Sequence, residues 1–248
     1  MRSLLAAALV AALPTAPAAA PAAVAPVSAS APASGAPALA PAELLAKIAA
    51  AHGGQKALAK LHAVRERGTL ASPRGAAVVT RDYERPGRLK VDIAYAASRE
   101  VRLLDGEKGF RNGEPVTGPS LAAMALQAAR LDLPFLLAGA AGKAQDLGLI
   151  EHRGRQVRAL RLALGEGKEA VALIDPVTSR IVRSETSVPA GPGRIAFSTD
   201  YSDYRMVDGL LFAFAEENFA NGMATGKTTL EKIELNPALP AATWSPKP

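Results

Sequence analysis

Tyr201-Ser-Asp-Tyr204-Arg-Met-Val207-Asp208-Gly209-Leu-Leu-Phe212 reads as one strand, an Asp-Gly turn and the start of the next strand. The turn dipeptide supplies the positive φ angles that a two-residue hairpin needs, and apolar runs flank it on both sides. Working outward, strands are expected at 147–152, 156–164, 169–174, 180–188, 194–204, 210–219 and 227–235. Their turns contain Gly165, Asp175-Pro176, Gly191-Pro192-Gly193, Asp208-Gly209 and Asn221-Gly222. Such spacing, with no helix between strands, fits an up-and-down antiparallel sheet and disfavours a parallel α/β fold. A chain that spends its length this way builds a large curved apolar surface, which points to binding before chemistry.

The N-terminal half carries the same signal. Strands are expected at 64–70, 76–83, 89–95, 99–104 and 109–111. In the third, Leu89, Val91, Ile93 and Tyr95 alternate with Arg88, Lys90 and Asp92. Asp105-Gly106 and Asn112-Gly113 are strong hairpin turns. Leu44, Leu45 and Ile48 share one face of a helix that opens at Pro41 and Glu43 and stops at His52-Gly53-Gly54, followed by a short helical turn over 55–61. Residues 120–137 change to a helical period, capped by Ser120 and broken at Pro134. An apolar helix between two groups of strands must lie against the sheet, as a lid or plug.

Before Pro41 the chain is different. Arg2, an apolar run over 4–13 and small residues beyond it read as an export signal spanning 1–29, with cleavage between about 18 and 29. Residues 30–41, within an uncharged Ala/Pro-rich stretch over 14–41, read as a disordered tether, leaving 42–248 as the folded domain. The chain has 248 residues and is 49% hydrophobic but only 4% aromatic, so Ala, Leu and Val must supply most of the core. The absence of cysteine excludes disulfides, thiolate metal sites and cysteine nucleophiles. The expected setting is the bacterial periplasm, as a soluble protein after signal cleavage.

The formal net charge of +6 suits anionic partners, but export disfavours nucleic acid. Arg65, Arg67, Arg81, Arg85, Arg88, Lys90, Arg153, Arg155, Arg158 and Arg161 are scattered as on the wet face of a sheet, which leaves room for transient contact with a membrane surface. His52, His62 and His152 lie far apart with no zinc-binding spacing, and His52 reads as helix-end punctuation. No Gly-x-Ser-x-Gly elbow is present. Gly222-Met-Ala-Thr-Gly226-Lys227-Thr228 is one residue short of a phosphate loop and joins two strands. Glu216 and Glu217 point to opposite faces, and Asp200, Asp203 and Asp208 read as turn residues. The chain is therefore read as a non-enzyme without catalytic residues, cofactor or metal.

In order along the chain, five motifs resemble one family. They are Ala51-His52-Gly53-Gly54-x-x-Ala57-Leu58-x-x-Leu61-x-x-Val64-Arg65-x-x-Gly68-Thr69, Leu104-Asp105-Gly106-Glu-Lys108, Leu133-Pro134-Phe135-Leu136-Leu137, Ile174-Asp175-Pro176-x-Thr178-x-Arg180, and Tyr201-x-Asp203-Tyr204-Arg205-x-Val207-Asp208-Gly209. Together they resemble the outer-membrane lipoprotein-sorting proteins of the LolA/LolB-like superfamily. The resemblance implies a mainly β, α+β fold: an open antiparallel half-barrel of about eleven strands closed by helices around an apolar cavity that accepts acyl chains. Lacking cysteine, the chain is closer to a soluble carrier than to the membrane-anchored receptor, and the family's lid-latching arginine is not assigned to a residue.

The expected function is a periplasmic carrier or binding protein for lipoprotein acyl chains or another lipid. The alternative is an envelope sensor or scaffold domain that binds an envelope protein. Burying an acyl chain yields about 0.8 kcal/mol per methylene. Cavity-facing candidates are Val91, Ile93, Leu103, Phe110, Phe197, Phe212, Phe214, Leu230 and Ile233 from strands, with Leu133, Phe135 and Leu136 from the lid.

Overall fold

The computed structural model describes residues 41–140, 143–165, 168–190 and 192–246; the expected signal over 1–29 and the tether up to residue 40 lie outside them. The chain enters through α1 (Pro41–Ala51) and α2 (Gln55–Lys60), then forms β1 (Ala63–Ser72), β2 (Gly75–Glu84), β3 (Arg88–Tyr95), β4 (Arg99–Asp105), β5 (Lys108–Arg111) and β6 (Glu114–Val116). Helices α3 (Gly118–Leu131) and α4 (Leu133–Ala138) follow. The second series is β7 (Ala144–His152), β8 (Arg155–Gly165), β9 (Lys168–Ile174), β10 (Ile181–Ala190), β11 (Gly193–Val207), β12 (Leu210–Ala220) and β13 (Met223–Leu235). A short 3-10 turn, Ala241–Trp244, ends the described chain.

All thirteen strands join one antiparallel sheet in the order β6-β5-β4-β3-β2-β1-β13-β12-β11-β10-β9-β8-β7. The chain therefore starts in the middle of the sheet and walks to one edge. Helices α3 and α4 carry it to the other edge, and it walks back until β13 pairs with β1 through contacts such as Glu66 with Ile233. Because β6 and β7 do not meet, the sheet is an open half-barrel. The thirteenth strand is β6, which proline and glutamate hid from the period-two pattern.

The helix boundaries differ from the sequence expectation in an instructive way. Thr117, not Ser120, stands at the N-cap of α3, and Pro119 occupies its first turn, where a missing N–H costs nothing. The break falls at Asp132, the C-cap of α3 and N-cap of α4, so Pro134 opens α4 instead of ending α3.

Three apolar clusters fill the inner face. Leu44, Leu45 and Ile48 of α1 join Leu133 and Leu137 of α4 against Leu160, Leu162, Ala172 and Ile174. Met124 and Ala128 of α3 cover Val79, Leu89, Val91, Ile93 and Leu104. Ala49, Leu58 and Leu61 cover Val64, Leu210, Phe214, Leu230 and Ile233. A smaller cluster, Val157, Ala159 and Leu173, occupies alternate positions and hence the opposite face of β8 and β9. The β7–β8 hairpin tip reaches β11 and β12, with His152 Nε2 3.2 Å from Asp200 and Arg153 3.1 Å from Glu217. Asp200 is thus a half-way point of strand β11 that also accepts from Arg183 at 2.8 Å, not a turn residue.

Candidate ligand cavity

The wall of the site begins where α1 ends. The Gly54 N–H reaches back to the Ala49 carbonyl at 2.7 Å, and the chain leaves the helix through Gly53 at φ 112°. Here α1 meets the β11–β12 turn: the Leu211 N–H donates to the His52 carbonyl at 3.4 Å. His52 is more than punctuation. It is buried, its Nε2 accepts the Ile181 N–H at 3.3 Å, and burial lowers its pKa to about 4.

Between this junction and the α3–α4 elbow lies a cavity of about 90 Å³. Its apolar wall includes Leu58, Val64, Leu131, Leu133, Phe135, Leu210 and Phe212, and Tyr83, Tyr201, Tyr204, Glu66, Arg130 and Glu216 add polar groups. This volume is below the roughly 150 Å³ of an apolar void that admits benzene.

Of the strand and lid residues singled out from the sequence, Leu133, Phe135 and Phe212 meet at this cavity. Val91 and Ile93 lie under α3. Phe214, Leu230 and Ile233 pack beneath α1 and α2, and Leu136 packs against the cluster around Leu160. Leu103 pairs with Phe110 on the face opposite Leu104, away from α3. Phe197 is half-buried, two residues before Thr199 on the same face of β11.

The charged floor was not legible in the pattern of scattered basic residues. Arg81, expected on a wet face, is buried between two carboxylates. Its Nε lies 2.6 Å from Glu66, and its two terminal nitrogens donate to both oxygens of Glu216 at 2.8 and 2.9 Å. Burial pushes the Glu66 carboxyl up. For Glu216 the same burial is overcome by Arg81 and Arg130, which hold its carboxyl below the ordinary value. The signal that could have found this cluster was the charge of Glu66, Arg81 and Glu216 at positions in phase with apolar neighbours such as Val64, Val79 and Phe214.

Arg130 and Asp132 tie α3 and the elbow to the sheet. Arg130 near the end of α3 donates to Asn218 at 2.8 Å and to the Thr199 hydroxyl. At the elbow, Asp132 lies 2.6 Å from Arg85, whose guanidinium stands 4.3 Å above the Phe135 ring. Burial raises the Asp132 carboxyl to about 6 despite Arg85. Among the described residues no helix is long and apolar enough to cross a membrane.

The architecture has counterparts among solved structures. A LolA superfamily protein from Nitrosomonas europaea superposes with a TM-score of 0.52 at 12% identity, covering 84% of this chain and 98% of that one. A domain from Vibrio parahaemolyticus described as a putative outer membrane lipoprotein-sorting protein gives a TM-score of 0.45 at 11% identity over 82% of this chain and 95% of its own. No family model and no curated protein matches the sequence. The chain has a LolA-like half-barrel fold.

Proposed function

We propose that this chain is a periplasmic carrier or binding protein that takes an acyl chain of a lipoprotein or another lipid between the half-barrel and its α3–α4 cover. The observation that carries this reading is the seam itself. Leu131, Leu133 and Phe135 of the cover face Phe212, Leu210 and Val64 of the sheet and helix junction across an incompletely filled space. The elbow residues carry few polar anchors beyond Arg85–Asp132 and the Arg130 contacts. Lifting the elbow would exchange these apolar contacts for contacts with a hydrocarbon tail. At about 0.8 kcal/mol per methylene, a ten-carbon stretch offers roughly 8 kcal/mol gross, before ordering costs.

The ionisable groups around the cavity are occupied with one another, Arg81 with Glu66 and Glu216, which supports binding without catalysis. The export signal and tether read from the sequence support a periplasmic setting. The small volume supports a second reading, in which the half-barrel serves as a docking surface for an envelope protein and the interior stays filled.

Titrating the delipidated protein with a fluorescent fatty-acyl probe separates the two. Saturable micromolar binding is expected for the carrier. No binding, together with one envelope protein recovered in stoichiometric amount, would favour the docking reading.

A further inference from the structure

At the end of the inner face remote from the elbow, three arginines converge on one carboxylate. Glu100 pairs across the ladder with Ile93, and Arg102 pairs with Val91 on one side and Arg111 on the other. Because Val91 and Ile93 lie beneath α3, Glu100, Arg102 and Arg111 belong to the same concave face. Arg102 Nε donates to Glu100 Oε1 at 2.7 Å, Arg111 Nη2 to the same oxygen at 2.9 Å, and Arg74, from the β1–β2 turn, to Oε2 at 2.7 Å.

The geometry makes Glu100 an anchor for the arginines. Its side chain is only 7% exposed, whereas Arg74 and Arg111 are 54% and 56% exposed. Burial alone would raise the Glu100 carboxyl, but the bonds from Arg111, Arg102 and Arg74 lower it to about 2, so the anchor stays charged at any physiological pH. Among the described residues no other carboxylate forms an ion pair with these three arginines. One buried negative charge therefore holds three positive ones, and Glu114, exposed and opposite Arg111 in the β5–β6 ladder, offsets at most one more, so the cluster keeps a net positive charge. Arg74 is fixed further by stacking 4.4 Å above the Tyr95 ring. Each guanidinium has five N–H donors, of which Glu100 takes one or two. The remaining donors form a preorganised fork suited to planar or tetrahedral oxyanions. Asp92 and its partner Arg99 begin on the opposite face, since Asp92 pairs with Val101.

We propose that Arg74, Arg102 and Arg111, held by Glu100, form a binding site for a phosphate-type oxyanion at the open end of the concave face. The site stands apart from the acyl cavity and does not depend on it. Its anion is either a lipid headgroup or free phosphate.

The test uses the full mature protein, with vesicles of phosphatidylglycerol, vesicles of phosphatidylcholine, and inorganic phosphate as separate probes. Cosedimentation with the anionic vesicles alone assigns the headgroup. A saturable shift of arginine side-chain NMR resonances by inorganic phosphate, without cosedimentation, assigns the free ion. In either case R74A/R111A should weaken binding by about 25-fold, taking roughly fivefold per arginine. A charge-matched double variant elsewhere on the surface, R67A/R194A, should change it less than about threefold if exposed distant charges are screened. E100Q removes a negative charge, which alone would favour an anion, but it also removes the charged anchor, so it should bind more weakly than the wild type. R111A alone, which leaves Arg102 and Arg74 on Glu100, serves if the double variant fails to fold. Equal losses in the two double variants, tighter binding by E100Q, or no binding of any probe would overturn the site.

Discussion

Gly53 and Gly209 approach so closely that a Cβ built on Gly53 would stand 2.3 Å from the Gly209 carbonyl oxygen, and Gly53 itself has φ 112°. Two of the recurring sequence motifs, His52-Gly53-Gly54 and Val207-Asp208-Gly209, are thus the two halves of one contact. Gly53→Ala should cost at least about 2 kcal/mol, from backbone strain and displacement together. That corresponds to a thermal midpoint roughly 4–8 °C lower. Gly54→Ala meets the backbone strain of φ 87°, ψ 153° but no clash, so it should cost less than Gly53→Ala, within about 1–3 kcal/mol. Thermal melts of the two variants check the ranking.

Arg81 bridges two buried carboxylates, Glu66 and Glu216. Arg81→Met leaves both unpaired and should destabilise by about 3–5 kcal/mol. In the triple replacement R81M/E66L/E216L most of that loss should be recovered, because no buried carboxylate is left, and Arg130 keeps its bonds to Asn218 and Thr199. Urea denaturation of the single and triple variants measures both quantities.

Two buried groups, Asp132 and His52, contribute opposed pH dependences to stability. Asp132 holds its proton more tightly when folded, about 6 against an ordinary 3.8, so its contribution declines as pH rises between those values. His52 holds its proton less tightly when folded, about 4 against 6.5, so its contribution is lost as pH falls between those values. The two slopes oppose in the wild type. Relative to the wild type, His52→Gln should lose less stability between pH ~6 and pH ~4, because the cost of protonating His52 is gone, and Asp132→Asn should lose more. Denaturation midpoints across this range read both signs.

The fold was legible because turn chemistry is local. Asp208-Gly209, Asn112-Gly113 and Asn221-Gly222 announce hairpins from two residues each, and alternation in β3 announces its buried face. The site was less legible, because strand parity groups Val91 with Ile93 but does not say whether a helix covers them. Here α3 does. Arg81 looked solvated for the same reason: its partners lie on β1 and β12, and its phase with Val79 was the one local hint that it shares the buried face. His52 was hidden likewise, since its partner Ile181 is far along the chain.

The N-terminal reading has its own check. If residues 1–29 are an export signal, the protein recovered from the periplasm should begin after a residue between about 18 and 29. Intact-mass measurement of that fraction shows this directly. A mass corresponding to the uncleaved chain would instead mark the segment as a retained anchor.

The most direct measurement is titration of delipidated protein with a fluorescent fatty-acyl probe, alongside Phe212→Trp, which narrows the cavity at a half-buried wall position. Saturable binding of the probe by the wild type, weakened about tenfold in Phe212→Trp at unchanged fold, is the predicted result, a loss near 1.4 kcal/mol. Absence of saturable binding, or equal binding by both proteins, would contradict uptake of an acyl chain at the seam between the half-barrel and its helices.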